Sequence, residues 1–239
     1  MTLEQLNDRI IDCRKCPRLV MWREKIGREK RKAYIDQEYW AKPVPGFGDK
    51  NAQVLVVGLA PGAHGSNRTG RQFTSDSSGD FLFPALYRPG YSSQPISKSR
   101  EDGLQLMELY IAPVCRCVPP QNKPSPNEIK NCQPFLEEEI NLLQPRIFVA
   151  LGRIAFDSLV NILLSKKTHL TSSTNKFAFV HNGILPIDAT HWLVTSYHPS
   201  RQNTQTGRLT AQMFDETWGI VKSLLSQSSG MVRNLSIKV

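Results

Sequence analysis

Apolar residues concentrate in four short runs, Gln53–Val57, Leu109–Val114, Arg146–Leu151 and Trp192–Tyr197, each rich in Val, Ile, Leu or aromatics. Their length and the Gly and Pro that punctuate them predict buried strands. Helical patterns lie between the runs, the alternation that builds a parallel sheet with helices on its faces. The pattern therefore predicts an α/β protein, a three-layer α/β/α domain around a central, mainly parallel four-stranded sheet. That domain spans residues 1–225; 226–239, with Ser, Gly and Asn among scattered apolar residues, read as a partly disordered tail.

Helix boundaries and buried faces are also written in the pattern. Ser125-Pro126-Asn127-Glu128 is a capping box with Pro at the first helical position, so a helix starts there and runs to about Leu143. Ile129, Cys132, Leu136, Ile140 and Leu143 share one face of it, which turns Cys132 inward. Leu3, Leu6, Ile10 and Cys13 form a similar stripe near the start, and Phe214, Trp218, Val221 and Leu225 another near the end. The basic run from Arg23 to Lys32 reads most simply as a solvated helical face.

Composition narrows the class of partner. The 239 residues carry 30 Lys and Arg against 21 Asp and Glu, a formal +9 that favours a polyanion such as nucleic acid. No apolar run approaches the roughly 18 residues of a membrane helix, and MTLEQLNDRI has acidic residues where a secretory signal would be apolar. An intracellular protein, cytoplasmic or nuclear, is expected, with no membrane partner and as a monomer.

The five cysteines argue for metal ligation over a disulfide framework. Cys13 and Cys16 form a CxxC; Cys117 on a loop and Cys132 on a helix form a second, wider pair, and Cys115 is left over. A zinc ribbon would show a second tight CxxC, whereas an iron-sulfur cluster accepts thiolates spread over loops and helices, so a 4Fe-4S cluster is the favoured reading. Zinc and inert buried cysteines remain the alternatives. A redox CxxC is disfavoured, because this one ends a helix ahead of any strand.

Two polar loops follow strands. The 58–79 loop, GLAPGAHGSNRTGRQFTSDSSG, is neither a Walker A loop nor GxGxxG, yet its Gly, Ser, Asn and Thr suit close approach of backbone N–H groups to a ligand. Within it Phe73 either plugs the core or offers a flat face to a base, and Asp76, taken alone, reads as a helix cap. His198 falls at the carboxyl end of the last strand, on the sheet edge shared with Gly58, the Cys117 loop and Gly152, where open α/β sheets bind ligands. His169, His181 and His191 read as structural, and His64 is undecided.

Taken together, CRKCPRLVMWRE at 13–24, VPGFGD at 44–49, GLAPGAHGSNRTGRQFTSD at 58–76, CVPPQNKPSP at 117–126 and HPSRQNTQTGRLT at 198–210 resemble the uracil-DNA glycosylase superfamily. The likeness is greatest to its family-five (type B) iron-sulfur branch. The resemblance implies that superfamily's fold and a monofunctional hydrolase that flips uracil or another deaminated base out of DNA and cleaves its N-glycosidic bond, the first step of base excision repair. By the same resemblance His198 donates to the uracil oxygen, Phe73 stacks on the flipped base, and Asp76 positions water or stabilises the oxocarbenium-like sugar. Asn122 is a second polar catalytic candidate. Gly58, Ala60 and Gly62 line the base site, Ser200 and the Pro119–Pro126 loop pinch the backbone phosphates, and Arg201 and Gln202 fill the space vacated by the base. Cys13, Cys16, Cys117 and Cys132 are the implied cluster ligands.

Departures from the wider superfamily predict breadth. Ala60 replaces an acidic or amide catalytic residue, Gly62 a thymine-excluding tyrosine, and Pro113 an amide that reads the pyrimidine edge. Loss of these contacts opens the site to hypoxanthine first and to 5-substituted uracils next. Ser75 stands where the family pattern often has Gly. Two readings compete: a non-catalytic iron-sulfur DNA-binding protein, and a nucleotide-dependent Rossmann enzyme, which the missing phosphate fingerprints disfavour. Lys123 is a conceivable Schiff-base nucleophile, but a phosphate-binding lysine is the simpler reading.

Overall fold

The computed structural model describes residues 1–165 and 177–227. Six strands form one sheet: β1 (Phe47–Gly48), β2 (Val54–Gly58), β3 (Leu109–Pro113), β4 (Ile147–Leu151), β5 (Ile184–Pro186) and β6 (Trp192–Ser196), in the order β1-β3-β2-β4-β6-β5. The central four are mutually parallel, with Val54 opposite Leu109 and Ile147, and Ile147 opposite Trp192. These are the four strands that the apolar runs predict, with ends shifted by a residue or so. The four-stranded sheet is corrected to six, because β1 and β5 add antiparallel edges. At two and three residues, and partly exposed, neither edge strand leaves an apolar run to read.

Successive side chains of a strand point to opposite faces, so each central strand feeds two cores. Val54, Val56, Ile111, Val149 and Val194 pack against α4 (Gly79–Tyr87) and α8 (Ala211–Gln227) through Leu82, Phe83, Leu86, Phe214, Trp218 and Val221. On the other face Leu55, Val57, Tyr110, Phe148 and Ala150 meet Leu136 and Leu143 of α5 (Pro126–Leu143) and Phe156 and Leu159 of α6 (Arg153–Ser165). The three-layer architecture follows from this division.

The capping box forms as its sequence predicts: Ser125 Oγ accepts from the Glu128 N–H, and a Glu128 carboxylate oxygen accepts from the Ser125 N–H. Helix α1 (Leu3–Ile11) buries Leu6 and Ile10 against Phe135 of α5. Helix α2 (Pro17–Glu29) bears out the basic run as a mostly solvated face except at its first residue, because Arg23 is 2% exposed. Helix α8 continues through Ser226 to Gln227, past the expected boundary at 225, whereas 228–239 and His169 lie outside the described residues. No described helix is long and apolar enough to cross a membrane.

Candidate active site

Parallel strands present their carboxyl ends along one edge, and the segments that leave β2, β3 and β6 there enclose a cleft of about 960 Å³. Ala60, Gly62, Phe73, Asp76, Asn122, His198, Ser200, Arg201 and Gln202 all line it. Nine of the expected site residues are therefore brought together. Gly58 stands just behind the wall, where a Cβ would lie 2.9 Å from the Phe73 ring, so its lack of a side chain makes room for that ring.

The loop that carries Phe73 and Asp76 is held open in an unusual backbone. Phe73 and Ser75 have φ of 52° and 58°, the left-handed region that side chains disfavour, and the surroundings fix both. The Phe73 N–H donates to Ser66 Oγ at 3.1 Å and the Ser75 N–H to the Ser97 carbonyl at 2.9 Å. Buried Arg71 locks the loop from beneath, donating to Thr74 Oγ1, Ser97 Oγ and both carboxylate oxygens of Asp102. The Phe73 ring lies near-parallel to the His198 imidazole, with centroids 6.0 Å apart.

Asp76 satisfies the bland and the chemical reading together. One oxygen, Oδ1, accepts from the Ser78 and Gly79 N–H groups at 3.1 and 2.9 Å, the turn that opens α4. The other, Oδ2, faces Gly62 and Gly65; a Cβ on Gly65 would come within 2.4 Å of it. Burial pushes the Asp76 carboxyl above its usual range, against the two backbone N–H bonds. His198 hangs from the loop after β6, its carbonyl accepting from Asn203 Nδ2 at 2.9 Å, and α7 (Arg201–Gln205) follows with Ser200 as its N-cap. Burial drives the His198 pKa down to about 4, so its imidazole is neutral at neutral pH and keeps one N–H to donate.

Asn122 reaches the cleft from a turn in which Gln121 and Asn122 both have left-handed φ, 55° and 56°. Arg18 anchors this loop, donating to the Lys123 carbonyl at 3.1 Å and to Glu128. Lys123 and Pro113 do not line the cleft. His64, Arg31, Tyr34 and Gln72 do, and sequence reasoning passed over them as site residues. His64 Nδ1 lies 3.0 Å from the Tyr39 hydroxyl, while Arg68 donates to the His64 carbonyl and stacks 4.0 Å from the Tyr34 ring. His181, stacked on Tyr197, and His191, paired with Asp188 in a turn, are structural as expected.

A second pocket lies between α1, α2, α5 and the Cys117 loop, lined by Cys13, Cys16, Cys117 and Cys132 together with Leu19, Val20, Pro43 and Arg116. Two of its sulfurs accept hydrogen bonds, Cys117 Sγ from Arg23 at 3.0 Å and Cys16 Sγ from Asn131 at 3.4 Å, and the leftover Cys115 lies beside Cys132. The neighbouring Cys115 thiol holds Cys132 below the ordinary thiol range, whereas Cys132 and burial hold Cys115 above it. Arg116 at the pocket edge is neutralised by a buried bidentate pair with Glu139. Among the described residues no three His, Cys, Asp or Glu side chains converge closely enough to hold a single metal ion. Four soft donors arrayed around a space, rather than about one point, have the chemistry to hold a polynuclear group.

A mainly parallel sheet whose carboxyl edge carries an aromatic face, a neutral imidazole and a desolvated carboxylate is the arrangement of an enzyme that binds a planar base. Residues 45–222 match the family described as the uracil DNA glycosylase superfamily, and the chain belongs to it. It is 50% identical over 205 residues to a type-5 uracil-DNA glycosylase of Thermus thermophilus, covering 85% of this chain and 90% of that protein. A type-5 uracil-DNA glycosylase of Mycobacterium leprae is 44% identical over 93% of this chain and 96% of its own length. A type-4 uracil-DNA glycosylase of Pyrobaculum aerophilum is more distant, 30% identical over 68% of this chain and 67% of its own.

Proposed function

We propose that the protein is a monofunctional uracil-DNA glycosylase of the family-five type, which hydrolyses the N-glycosidic bond of a flipped uracil and leaves an abasic site. The observation that carries the reading is the placement of Phe73, His198 and the free Oδ2 of Asp76 around one cleft. Breaking the C1′–N1 bond sends its electron pair to the departing base and leaves positive charge on the sugar. A site is catalytic when it holds a donor for the first charge and an anion for the second.

Neutral His198 fits the donor, because an imidazole N–H stabilises an anionic uracil oxygen at neutral pH without first losing a proton. Asp76, ionised, stabilises the oxocarbenium-like sugar and takes a proton from the water that adds to C1′. Phe73 stacks on the base, and Asn122 supplies a further polar group from the opposite loop. Arg31 and Arg201 lie on the cleft wall and suit the flanking phosphates. Lys123, outside the cleft, suits neither a Schiff base nor a lyase.

The reading extends to base range. Gly62 contributes only a hydrogen to the wall beside Asp76, where a Cβ would lie 3.3 Å from Oδ2. Such a site accepts hypoxanthine and 5-substituted uracils besides uracil. A 4Fe-4S cluster held by Cys13, Cys16, Cys117 and Cys132 is part of the same proposal. Its role is to pin α1, α2, α5 and the Cys117 loop to the domain. A second hypothesis, a non-catalytic DNA-binding protein, leaves the desolvated carboxylate unexplained.

Oligonucleotides carrying uracil, hypoxanthine, a 5-substituted uracil or thymine, incubated with protein, treated with alkali and sized, test this. Alkali-labile sites in otherwise intact strands are expected for the first three. Strand breaks before alkali would indicate a lyase, and binding without labile sites would return the protein to the non-catalytic class.

A further inference from the structure

We propose that Arg23 is the buried counter-charge of the metal-thiolate centre and ties that centre to the wall of the base cleft. The inference rests on the reading of the four cysteines as ligands.

Arg23 is 2% exposed, and among the described residues its guanidinium makes no ion pair. Its Nη1 donates to the Cys13 carbonyl at 3.3 Å and to Cys117 Sγ at 3.0 Å, and its Nε has no partner. Arginine keeps its charge in proteins, so burial without a compensating anion is costly. A neutral thiol and a carbonyl do not supply that anion. The thiolates of a four-cysteine centre, whose net charge is negative, do. The other buried guanidinium at this pocket, Arg116, already has Glu139, which leaves Arg23 to face the sulfurs.

The same residue touches the catalytic loop through its backbone. The Arg23 carbonyl accepts from Asn67 Nδ2 at 3.4 Å, and Asn67, fully buried, lies in the first turn of α3 (Ser66–Thr69) with its N–H on the Gly62 carbonyl at 2.9 Å. Gly62 and Gly65 are the glycines that face Oδ2 of Asp76. A sulfur ligand and the catalytic carboxylate are thus joined by one arginine, one asparagine and one glycine. Arg23 and Asn67 are positioning residues: neither lines the cleft.

Substitutions separate charge from hydrogen bonding. Arg23→Lys keeps the charge, while Arg23→Gln keeps a donor without it. Iron, sulfide and zinc per chain are measured in wild type first; absence of bound metal there overturns the ligand reading itself. With metal present, release to a chelator is followed by the visible absorption and by metal analysis, after circular dichroism has verified each fold. Arg23→Gln is expected to release metal at least tenfold faster than wild type and Arg23→Lys at a rate between the two. Equal rates for Arg23→Gln and wild type, or an Arg23→Lys variant as fast as Arg23→Gln, overturn the counter-charge. Failure of Arg23→Gln to fold leaves Arg23→Lys decisive: release at the wild-type rate or up to a few-fold faster supports the proposal, and tenfold or faster release overturns it. For the link, Asn67→Ala is expected to retain metal as wild type does and to lower single-turnover excision several-fold, with unchanged DNA affinity. Wild-type excision in that variant overturns the link.

Discussion

Asp76 does two things with two oxygens, and the division makes its substitutions informative. Asn at this position keeps an oxygen for the Ser78 and Gly79 N–H groups and removes only the charge on the side facing the cleft. Asp76→Asn should fold, bind DNA and excise uracil at least about 10²-fold more slowly, the lower bound for a positioned acid-base group. Its stability carries a sign. A carboxyl raised in the folded protein contributes stability below its unfolded pKa that is lost as pH rises through the folded value, so ionised Asp76 destabilises the fold at neutral pH. Asp76→Asn is therefore expected to melt no lower than wild type near pH 7, and a clearly lower melting temperature would contradict the desolvated carboxylate. In the proposed reaction, His198 serves the departing base. With its pKa down at about 4, His198 should contribute no limb to the excision rate near 6.5, where a free imidazole titrates. His198→Ala should cost about 2.7–4 kcal/mol of transition-state stabilisation in single-turnover assays, with DNA affinity retained.

Helix α5 shows how one element serves the core and the sulfur pocket together. Its capping box fixes the start, its apolar stripe faces the sheet, Cys132 points to the sulfurs and Glu139 meets Arg116 beneath them. Ser125→Ala should lower stability by about 0.5–2 kcal/mol, read by denaturant titration of the purified protein. Glu139→Ala should cost about 3–5 kcal/mol, because it leaves Arg116 buried without its partner, and a change under about 1 kcal/mol would contradict an ionised pair. The start, end and inward face of α5 were legible in its sequence because capping chemistry and a period of about 3.6 residues are local signals. Glu139 was not legible as a buried ion, because its partner lies 23 residues away on another loop. Arg23 was legible in hindsight: it follows Leu19 by four residues on the same face of α2, a spacing masked by the surrounding basic run. β1 and β5 left no signal, since strands of two and three residues at an edge need no apolar alternation.

Across the whole molecule, the formal +9 and the cleft-lining Arg31 and Arg201 describe a surface suited to a polyanion. Arg201→Ala should weaken binding to damaged and undamaged duplexes alike and reduce the slope of log affinity against log salt by about 1, measured by fluorescence anisotropy. The four-stranded parallel core and the convergence of the loops on one edge could be read in advance, because topology follows from the alternation of runs. The left-handed turns at Phe73, Ser75, Gln121 and Asn122, which aim the site, could not, because long-range contacts impose them. The most direct test of the chemistry is single-turnover release of free uracil from a duplex with one uracil, with wild type and Asp76→Asn compared at saturating protein. Wild type is expected to release one base per duplex and leave the strand unbroken, and Asp76→Asn to do so at least about 10²-fold more slowly. Equal rates for the two proteins, or no free uracil from folded wild type, would contradict catalysis by this cleft.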